Sequence, residues 1–389
     1  MPEAGLTAAE VERLVATRRD LHAHPELGWE ERRTAGVVTA RLAAAGYAPR
    51  AVRGTGVVAD LEGARPGRTV LLRADMDALP IQETGDAPWR STVPGVMHAC
   101  GHDGHTAALL AAAERLARRK GELAGRVRLC FQPAEEGRGG ALALLEEGVL
   151  EGVDRAFALH LWNELPTGSV GCAPGPVWAA CDVFDLTITG QGGHGGMPDL
   201  ARDPVVAAAH VVTALQTLVS RGTSPLDAAV VTVGKLVAGD TWNVIPALAR
   251  LAGTVRTFDP STHRAFPERL SRLVRGVAEA LGCAAEVEYR TICPPTVNDP
   301  AMAGLARGVI ERLGARAVSE GPGTRAMVGE DFAYFLERVP GALLLIGSRD
   351  EARGLTAPHH SPGFAFDEGA LPLAARLLEE VALVASSAP

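Results

Sequence analysis

The sequence predicts an α/β protein, in which a mostly parallel sheet flanked by helices is interrupted by a smaller α+β domain. Early in the chain, short apolar runs alternate with helical periods, an order typical of a parallel sheet covered on both faces. From about residue 182 the order becomes strand-helix-strand-strand-helix-strand, which is that of a ferredoxin-like split βαβ unit. An apolar strand and a closing helix then follow near the end.

The elements of the first domain follow from local patterns. Thr7 and Glu10 have the spacing of a capping box, and a helical period continues to about Leu21, where His24-Pro25 ends it. Apolar runs with turn residues after them predict strands, and an Ala- and Leu-rich segment predicts a helix. The predicted strands are 69–74, 127–131 and 155–161, and the predicted helix is 106–119.

The second pattern is compact enough to be an inserted domain. Its predicted strands are 183–190, 228–237, 248–258 and 285–290, and its predicted helices are 204–219 and 262–281. Cys293-Pro294-Pro295 then predicts a linker back to the first domain, which ends with a strand at 343–346 and a helix at 371–384. We therefore expect domain segments 1–181, 182–291 and 292–389.

Composition excludes several functional classes. The net charge is −8, and no basic cluster interleaves with aromatic residues as a nucleic-acid-binding surface would require. No apolar run is long enough to cross a bilayer, and Glu3, Glu10 and Glu12 stand where a signal peptide needs positive charge. These features predict a cytoplasmic protein that binds neither nucleic acid nor membrane. The six scattered cysteines are then expected to be buried thiols or metal ligands rather than disulfides.

The densest polar segment is 98–105, His-Ala-Cys-Gly-His-Asp-Gly-His, just before the predicted helix. Thiolate and imidazole groups are both good ligands for zinc and similar divalent metals. The alternative is a polar loop with capped histidines, which the density of ligand-type residues disfavours. The segment therefore predicts part of a metal site built around Cys100 and His102.

Two adjacent carboxylates, Glu135 and Glu136, follow the predicted strand 127–131. Active sites of open α/β sheets lie beyond the carboxyl ends of the strands. If the backbone stays extended there, neighbouring side chains diverge, so that one can bind metal while the other serves as a general base. A solvated acidic loop would be the better interpretation if this pair stood alone.

Two further segments carry histidine at comparable positions. His160 ends the predicted strand 155–161, and its placement parallel to the glutamate pair favours a ligand over a structural histidine. His359 and His360 lie in a loop after the strand 343–346. Spacing alone does not choose between these two.

In the combination of these segments, the chain resembles the amidohydrolase branch of the aminoacylase and carboxypeptidase superfamily. That branch contains hippurate hydrolases, N-acetyl-diaminopimelate deacetylases and auxin-conjugate hydrolases. The resemblance covers nearly the whole chain and rests on ordered motifs. These are 19–27, 73–79, 98–105, 133–136, 192–194, 243–246, 329–332 and 360–367.

The resemblance implies a site with two divalent metal ions, whose identity (zinc, manganese, cobalt or nickel) it leaves open. It implies Glu135 as the general base, and His360 rather than His359 as a ligand because the family's ligand stands two residues before the proline. Asp75 occupies a position where relatives have a ligand histidine. The implied ligands are Cys100, His102, Glu136, His160 and His360, and the residues implied to orient ligands are Asp77 and Asp103. The resemblance does not imply a ligand role for four other histidines: His22, His24, His98 and His105.

The inserted segment resembles the family's lid and dimerisation domain. His194 matches a residue that helps to polarise the scissile carbonyl and can reach the partner subunit's site. Asn243 and Arg256 match positions that hold the substrate carboxylate, and a guanidinium can pair with both carboxylate oxygens. The resemblance thus implies a homodimer whose domains close on the substrate, with hinges near 181–182 and 290–294.

The expected activity is hydrolysis of N-acyl-amino acids, hippurate-like or N-acetylated, to a carboxylic acid and a free amino acid. One alternative is a dipeptidase or carboxypeptidase of the same superfamily. Cys100 and the Ala-Asp-Met-Asp form of the motif at 74–77 favour the acyl-amino-acid branch. A catalytically inactive dimeric binding protein is the other alternative, which the complete set of ligands and base disfavours.

Overall fold

The computed structural model describes residues 5–387, so Glu3 of the acidic N-terminal segment lies outside the described residues. The chain divides into two compact units. The first unit contains the chain up to Val177, Val297–Arg325, and the chain from Asp331 onward. The inserted unit contains Trp178–Thr296 and Ala326–Glu330.

Nine α-helices and sixteen strands are present in the described part of the chain. The helices are α1 Ala8–Ala23, α2 Arg32–Ala44, α3 His102–Arg118, α4 Gly140–Glu146, α5 Pro204–Ser220, α6 Pro260–Ala280, α7 Pro300–Arg312, α8 Ala333–Leu336 and α9 Leu371–Ser387. The strands are β1 Arg50–Val52, β2 Gly56–Glu62, β3 Arg65–Asp75, β4 Ala124–Gln132, β5 Arg155–Pro166, β6 Ser169–Gly171, β7 Gly175–Trp178, β8 Cys181–Thr189, β9 Gly193–His194, β10 Ala229–Ala238, β11 Val244–Ile245, β12 Leu248–Thr257, β13 Ala284–Cys293, β14 Thr296–Asn298, β15 Arg316–Val318 and β16 Gly341–Arg349.

The first unit is built on an eight-stranded sheet in the order β1-β2-β4-β3-β5-β16-β6-β15. The four central strands, β4, β3, β5 and β16, pair in parallel, whereas β2 and β6 run antiparallel to their central neighbours. Helices α3 and α9 pack together and α9 contacts the central strands. This is the predicted α/β fold class, which is confirmed.

The register of the central strands positions the site. Asp75 at the end of β3 pairs with Gln132 at the end of β4, so that both strands deliver the following residues to one edge. The interior stretch of β3, Val70–Ala74 apart from Arg73, is apolar and almost fully buried, as expected for a strand covered on both faces. The polar residues that follow these strands are therefore brought together at their carboxyl ends.

The inserted unit is a four-stranded antiparallel sheet in the order β10-β12-β8-β13. Helices α5 and α6 pack against each other and against this sheet. Their common core contains Phe184, Leu186, Val211, Phe266 and Val274. Element order and strand order are those of a ferredoxin-like unit, as the sequence predicted. Strands β9 and β11 form a separate two-stranded ribbon in the same unit.

Several predicted boundaries differ from the structure. Strand β5 continues to Pro166, so His160 lies inside the strand rather than at its end. Helix α3 begins at His102, four residues before the predicted start, and the region 32–44 forms a helix that the sequence pattern did not predict. None of the described helices combines the length and hydropathy that crossing a membrane requires. The cytoplasmic location stays a prediction.

Candidate metal and catalytic site

Cys100 lies just before α3, and His102 is the first residue of that helix. Gly101 has φ of 92° in the left-handed region, which glycine adopts without a steric penalty, and the helix begins at the next residue. The sharp change of direction places the Cys100 side chain before the helix and the His102 side chain on its first turn. Both side chains are buried, Cys100 at 9% and His102 at 1% exposure.

The structure brings all five predicted ligands together. Cys100, His102 and His160 form one group whose ligand atoms all lie within 4.8 Å of one another, and Cys100, Glu136 and His360 form a second. Cys100 belongs to both groups. Its Sγ lies 3.4 Å from Nε2 of His160, while Nε2 of His360 lies 3.2 Å from Oε1 of Glu136.

Asp77 accepts hydrogen bonds from two parts of this cluster. Nδ1 of His102 donates to the backbone carbonyl of Asp77 at 2.9 Å, which leaves Nε2 facing the cluster. That buried Nε2 has no hydrogen-bond partner among the described residues. The two carboxylate oxygens of Asp77 accept one hydrogen bond each, at 3.1 Å, from the backbone N–H groups of Glu135 and Glu136. Asp77 thus holds His102 through its backbone carbonyl and the glutamate pair through its carboxylate.

Glu135 and Glu136 do not diverge as expected: one carboxylate oxygen of each and a ring nitrogen of His102 all lie within 4.8 Å of one another. The backbone is not extended there: Glu135 and Glu136 lie in a turn, after Ala134 with φ of 57°. The N–H of Ala134 donates to the buried carboxylate of Glu31 at 2.8 Å, which holds this strained residue in place. Glu136 points to the ligand cluster, and Glu135 accepts a hydrogen bond from the N–H of Asp331 at 3.3 Å.

The two adjacent histidines that spacing could not distinguish have different surroundings. Nε2 of His359 donates to the carbonyl of Leu161 at 2.9 Å, and its ring stacks on Trp162 at 4.7 Å between centroids. His360 has φ of 61°, which turns its half-exposed side chain towards Cys100 and Glu136. Only His360 shares a ligand group with other candidate residues.

His160 is held in a tautomer that suits a ligand. Its Nδ1 donates to the carbonyl of Leu161 at 2.7 Å, so that Nε2 faces Cys100. His105 lies close by, but both of its ring nitrogens are used. Its Nδ1 donates to Asp75 at 2.7 Å, and its Nε2 accepts from the N–H of Leu161 at 2.8 Å. Both contacts hold the His105 ring between Asp75 and the backbone of β5.

A fully buried ionic network below the cluster was not predicted from the sequence. Nη1 of Arg73 lies 2.6 Å from Asp75, and Nη2 lies 3.1 Å from Asp331. Gln132 joins the same network through Arg73 and Asp331. The sequence feature that could have predicted the network is Arg73, a charged residue inside the apolar run of β3. A buried charge requires paired and hydrogen-bonded partners.

Asp103 does not contact the candidate ligands in the way expected of an orienting residue. Its Oδ2 accepts from Nε of Arg18 at 2.8 Å and lies 2.8 Å from Nδ1 of His22. Nε2 of His22 in turn lies 3.3 Å from Glu83. This correction has a geometric cause: Asp103 follows His102 on the helix, so its side chain faces α1 while that of His102 faces the cluster.

The electrostatic balance of the cluster is that of a site built for cations. Burial alone would lower the pKa of His102, but the negative charges of Asp75 and Cys100 raise it well above its usual value. Burial and the nearby Glu136 raise the pKa of the Cys100 thiol. Hydrogen bonds to Cys100 and Glu136 raise the pKa of His360 to about 10. A divalent cation would displace protons from such ligands, since thiolate and neutral imidazole are the forms that bind metal.

The remaining predicted residues lie in the inserted unit. His194 on β9 pairs with Val244 on β11, which follows Asn243 directly, and Nδ1 of His194 accepts from the N–H of Gly196 at 2.9 Å. Nη1 of Arg256 lies 2.7 Å from Sγ of Cys181 and 2.8 Å from Oγ1 of Thr254. His194 and Asn243 are therefore neighbours along one short ribbon, whereas Arg256 lies on β12.

Comparison with known proteins connects this geometry to a family. The model of peptidase family M20/M25/M40 matches residues 71–384, which include every candidate ligand. The chain belongs to this family. It is therefore a metal-dependent hydrolase of amide bonds, and the resemblance found in the sequence motifs is confirmed.

The sequences and structures of individual relatives align with this chain over most of their length. The chain is 41% identical to an N-acetylcysteine deacetylase of Bacillus subtilis, over 96% of both chains. It is also 41% identical to the IAA-amino acid hydrolase ILR1-like 4 of Arabidopsis thaliana, over 94% of this chain and 83% of that one. Among solved structures, the Bacillus subtilis YXEP protein, a dinuclear metal-binding peptidase of the M20 family, superposes with a TM-score of 0.86 at 37% identity. That match covers 97% of this chain and 99% of the YXEP chain.

Proposed function

We propose that this family member is a two-metal amidohydrolase that cleaves N-acyl-amino acids into a carboxylic acid and a free amino acid. One observation carries the proposal. Five ligand-type side chains from distant parts of the chain form two groups that share Cys100, and Glu135 lies directly beside them. The similar YXEP protein is described as dinuclear, which supports two metal ions for this arrangement.

The donor set fits divalent metal ions. Cys100, His102 and His160 would hold one ion, and Cys100, Glu136 and His360 would hold the other. The buried Nε2 of His102, which has no hydrogen-bond partner among the described residues, supports this assignment, because a buried nitrogen without such a partner is costly unless something binds it. When bound, the ions would lower the pKa of the attacking water and stabilise negative charge on the substrate oxygen.

Glu135 is the proposed general base. Its carboxylate lies beside Glu136 and His102 and accepts a hydrogen bond from Asp331. In this role Glu135 takes a proton from the attacking water and returns it to the departing amine. His194 is proposed to donate a hydrogen bond to the scissile carbonyl, and its Nδ1 contact with Gly196 leaves Nε2 available to do so.

The substrate class rests on two supports. The relatives named N-acetylcysteine deacetylase and IAA-amino acid hydrolase both take amides in which an acyl group is joined to an amino acid. Asn243 and Arg256 are proposed to hold the free carboxylate of that amino acid, for which a guanidinium provides two parallel donors. A dipeptidase or carboxypeptidase would place a peptide in the same site, and a substrate panel separates the two.

We also propose that residues 182–291 act as a lid and dimerisation domain. Strand β10 is an edge strand of its sheet, and Val230, Leu236 and Val237 on it are exposed. Trp242 in the next loop is 94% exposed. An exposed apolar edge strand is a ready template for pairing with another chain, and a second copy of this chain would cover it. Light scattering on the purified protein tests this: a monomer at micromolar concentration would contradict the proposal.

The central experiment is a substrate panel on chelated protein, with zinc, manganese, cobalt or nickel added back one at a time. Hippurate, several N-acetyl amino acids and several dipeptides form the panel. We expect hydrolysis of the acyl-amino acids to return with metal, and to stay absent in Glu135→Gln at unchanged metal content. Preferred cleavage of dipeptides would support the peptidase alternative. Absence of any metal-restored hydrolysis would support an inactive binding protein instead.

A further inference from the structure

Two cysteines outside the metal site face each other in the inserted unit. Cys181 begins β8, Cys293 ends β13, and the two are register partners across the antiparallel pair. We propose that Cys181 and Cys293 are a redox-active dithiol that closes to an intramolecular disulfide. All six cysteines lie in the described part of the chain, and none of them forms a disulfide in the structure.

The backbone geometry suits such a bond. Directly opposed residues of antiparallel strands have Cα atoms about 4.5–5.5 Å apart, within the range of about 4.4–6.8 Å that disulfides span. Their side chains also lie on the same face of the sheet. Gly329 packs against both residues: a Cβ at that position would lie 2.7 Å from Sγ of Cys293 and 2.9 Å from Cβ of Cys181. The two cysteines therefore meet over one glycine that leaves room for their sulfur atoms.

The surroundings of the pair favour reaction at Cys181. Nη1 of Arg256 lies 2.7 Å from Sγ of Cys181, where its positive charge stabilises a thiolate. Cys181 is partly accessible to solvent, whereas Cys293 is 3% exposed. The contact with the Cys293 thiol, followed by Arg256, lowers the pKa of Cys181 to about 7. Burial instead raises the pKa of Cys130 and Cys283, so those thiols are poorer nucleophiles.

The reaction requires an external oxidant, and a low-molecular-weight disulfide such as oxidised glutathione serves. The Cys181 thiolate attacks one sulfur of that disulfide, forms a mixed disulfide and releases one small thiolate. Cys293 then loses its proton and attacks the Cys181 sulfur, which releases the second small thiolate. Two protein thiols are oxidised, and one small disulfide is reduced to two small thiols.

The bond would have two structural consequences. It would join the first and last strands of the inserted sheet, three residues inside each end of Trp178–Thr296. It would also remove the thiolate partner of Arg256. If Arg256 holds the substrate carboxylate, as in the proposed function, oxidation of the pair would change the affinity for substrate. The test of the pair itself does not depend on that role.

The test uses the full-length, metal-loaded protein with oxidised glutathione, followed by alkylation and peptide mapping. We expect a peptide linked through Cys181 and Cys293, two fewer free thiols, and full reversal by dithiothreitol. The midpoint of thermal unfolding should rise on oxidation, because the bond closes a loop of more than about 100 residues. After the same treatment, the Cys283→Ser control should still form the linked peptide. The Cys293→Ser variant should form only a glutathione adduct on Cys181.

Two results would overturn the proposal. One is a glutathione adduct on Cys181 that persists in the wild-type protein without linkage to Cys293. The other is a linked peptide that joins a different pair of cysteines. The wild-type experiment needs no variant, so a substitution that fails to fold does not prevent a decision, and activity is not part of the readout.

Discussion

The backbone N–H of Asp331 donates a hydrogen bond of 3.3 Å to the carboxylate of Glu135, the proposed general base. The side chain of Asp331 is itself anchored. Its Oδ1 accepts from Gln132 at 2.7 Å and pairs with Arg73, while its Oδ2 accepts from the N–H of Ala141 at 2.9 Å. A buried network therefore fixes the donor that orients the base.

Asp331→Asn tests this positioning role. It removes the charge that pairs with Arg73 while it preserves the shape of the side chain, so the N–H directed at Glu135 should lose its fixed position. We expect kcat to fall roughly 10- to 100-fold with metal content unchanged, a range typical of residues that orient a reactive group. Steady-state kinetics and metal analysis measure both. A lower unfolding midpoint with unaltered kcat would show that Asp331 is structural only.

Cys100→Ser tests the ligand that the two groups share. A hydroxyl is a much weaker ligand than a thiolate for zinc-like ions, so metal content should fall at both positions rather than at one. Elemental analysis after dialysis against a weak chelator measures it, and Cys283→Ser, whose sulfur lies in the inserted unit, is the matched thiol control. Loss of a single ion would mean that Cys100 serves only one group.

His359 and His360 offer a comparison between neighbouring residues. His360→Ala should abolish most metal-dependent activity with little change in stability, because the side chain is 52% exposed. His359→Ala should instead lower the free energy of unfolding by about 2 kcal/mol, because it removes a buried hydrogen bond to Leu161 and a stacked contact with Trp162. Calorimetry and kinetics on the two variants should give opposite patterns. The reverse pattern would reassign the ligand.

His22 should give stability a pH dependence. Burial opposes its charge, but hydrogen bonds from His22 to Asp103 and Glu83 raise its pKa despite the nearby Arg18, and His98 is also near. Because the folded pKa is raised, the stabilisation is complete below the unfolded value of about 6.5 and is lost as pH rises through the folded value. His22→Gln should therefore be less stable by about 1.5–3 kcal/mol near pH 6, and by less at higher pH.

Urea unfolding of both chains in the same chelator-containing buffer measures this difference at each pH. Chelation removes metal binding as a second source of pH dependence. A difference that grows as pH rises would contradict the assignment. A constant difference would indicate that the hydrogen bonds of His22 are neutral throughout the range.

Local sequence patterns predicted many of the larger elements because their causes are local, but they did not predict the 13-residue helices α2 and α7. The apolar runs of β3, β4 and β16 and the six elements of the inserted sheet and helices lie close to their predicted ranges. Shorter pieces such as α4 and β6 escaped prediction, since a few residues carry too little periodicity. The expected extension at Glu135 was wrong because Glu31, far away in sequence, holds Ala134 in the left-handed region.

The sequence by itself determined the types of residue available for the chemistry: the thiol, imidazole and carboxylate groups that follow strands of a parallel sheet. Spacing in it did not decide between His359 and His360, for which only the resemblance favoured His360; in the structure the two differ in backbone direction and in the contacts with Leu161 and Trp162. Nor did it reveal that Arg73, Gln132 and Asp331 meet in one buried network. Both depend on contacts between residues far apart in the chain, which only tertiary packing creates.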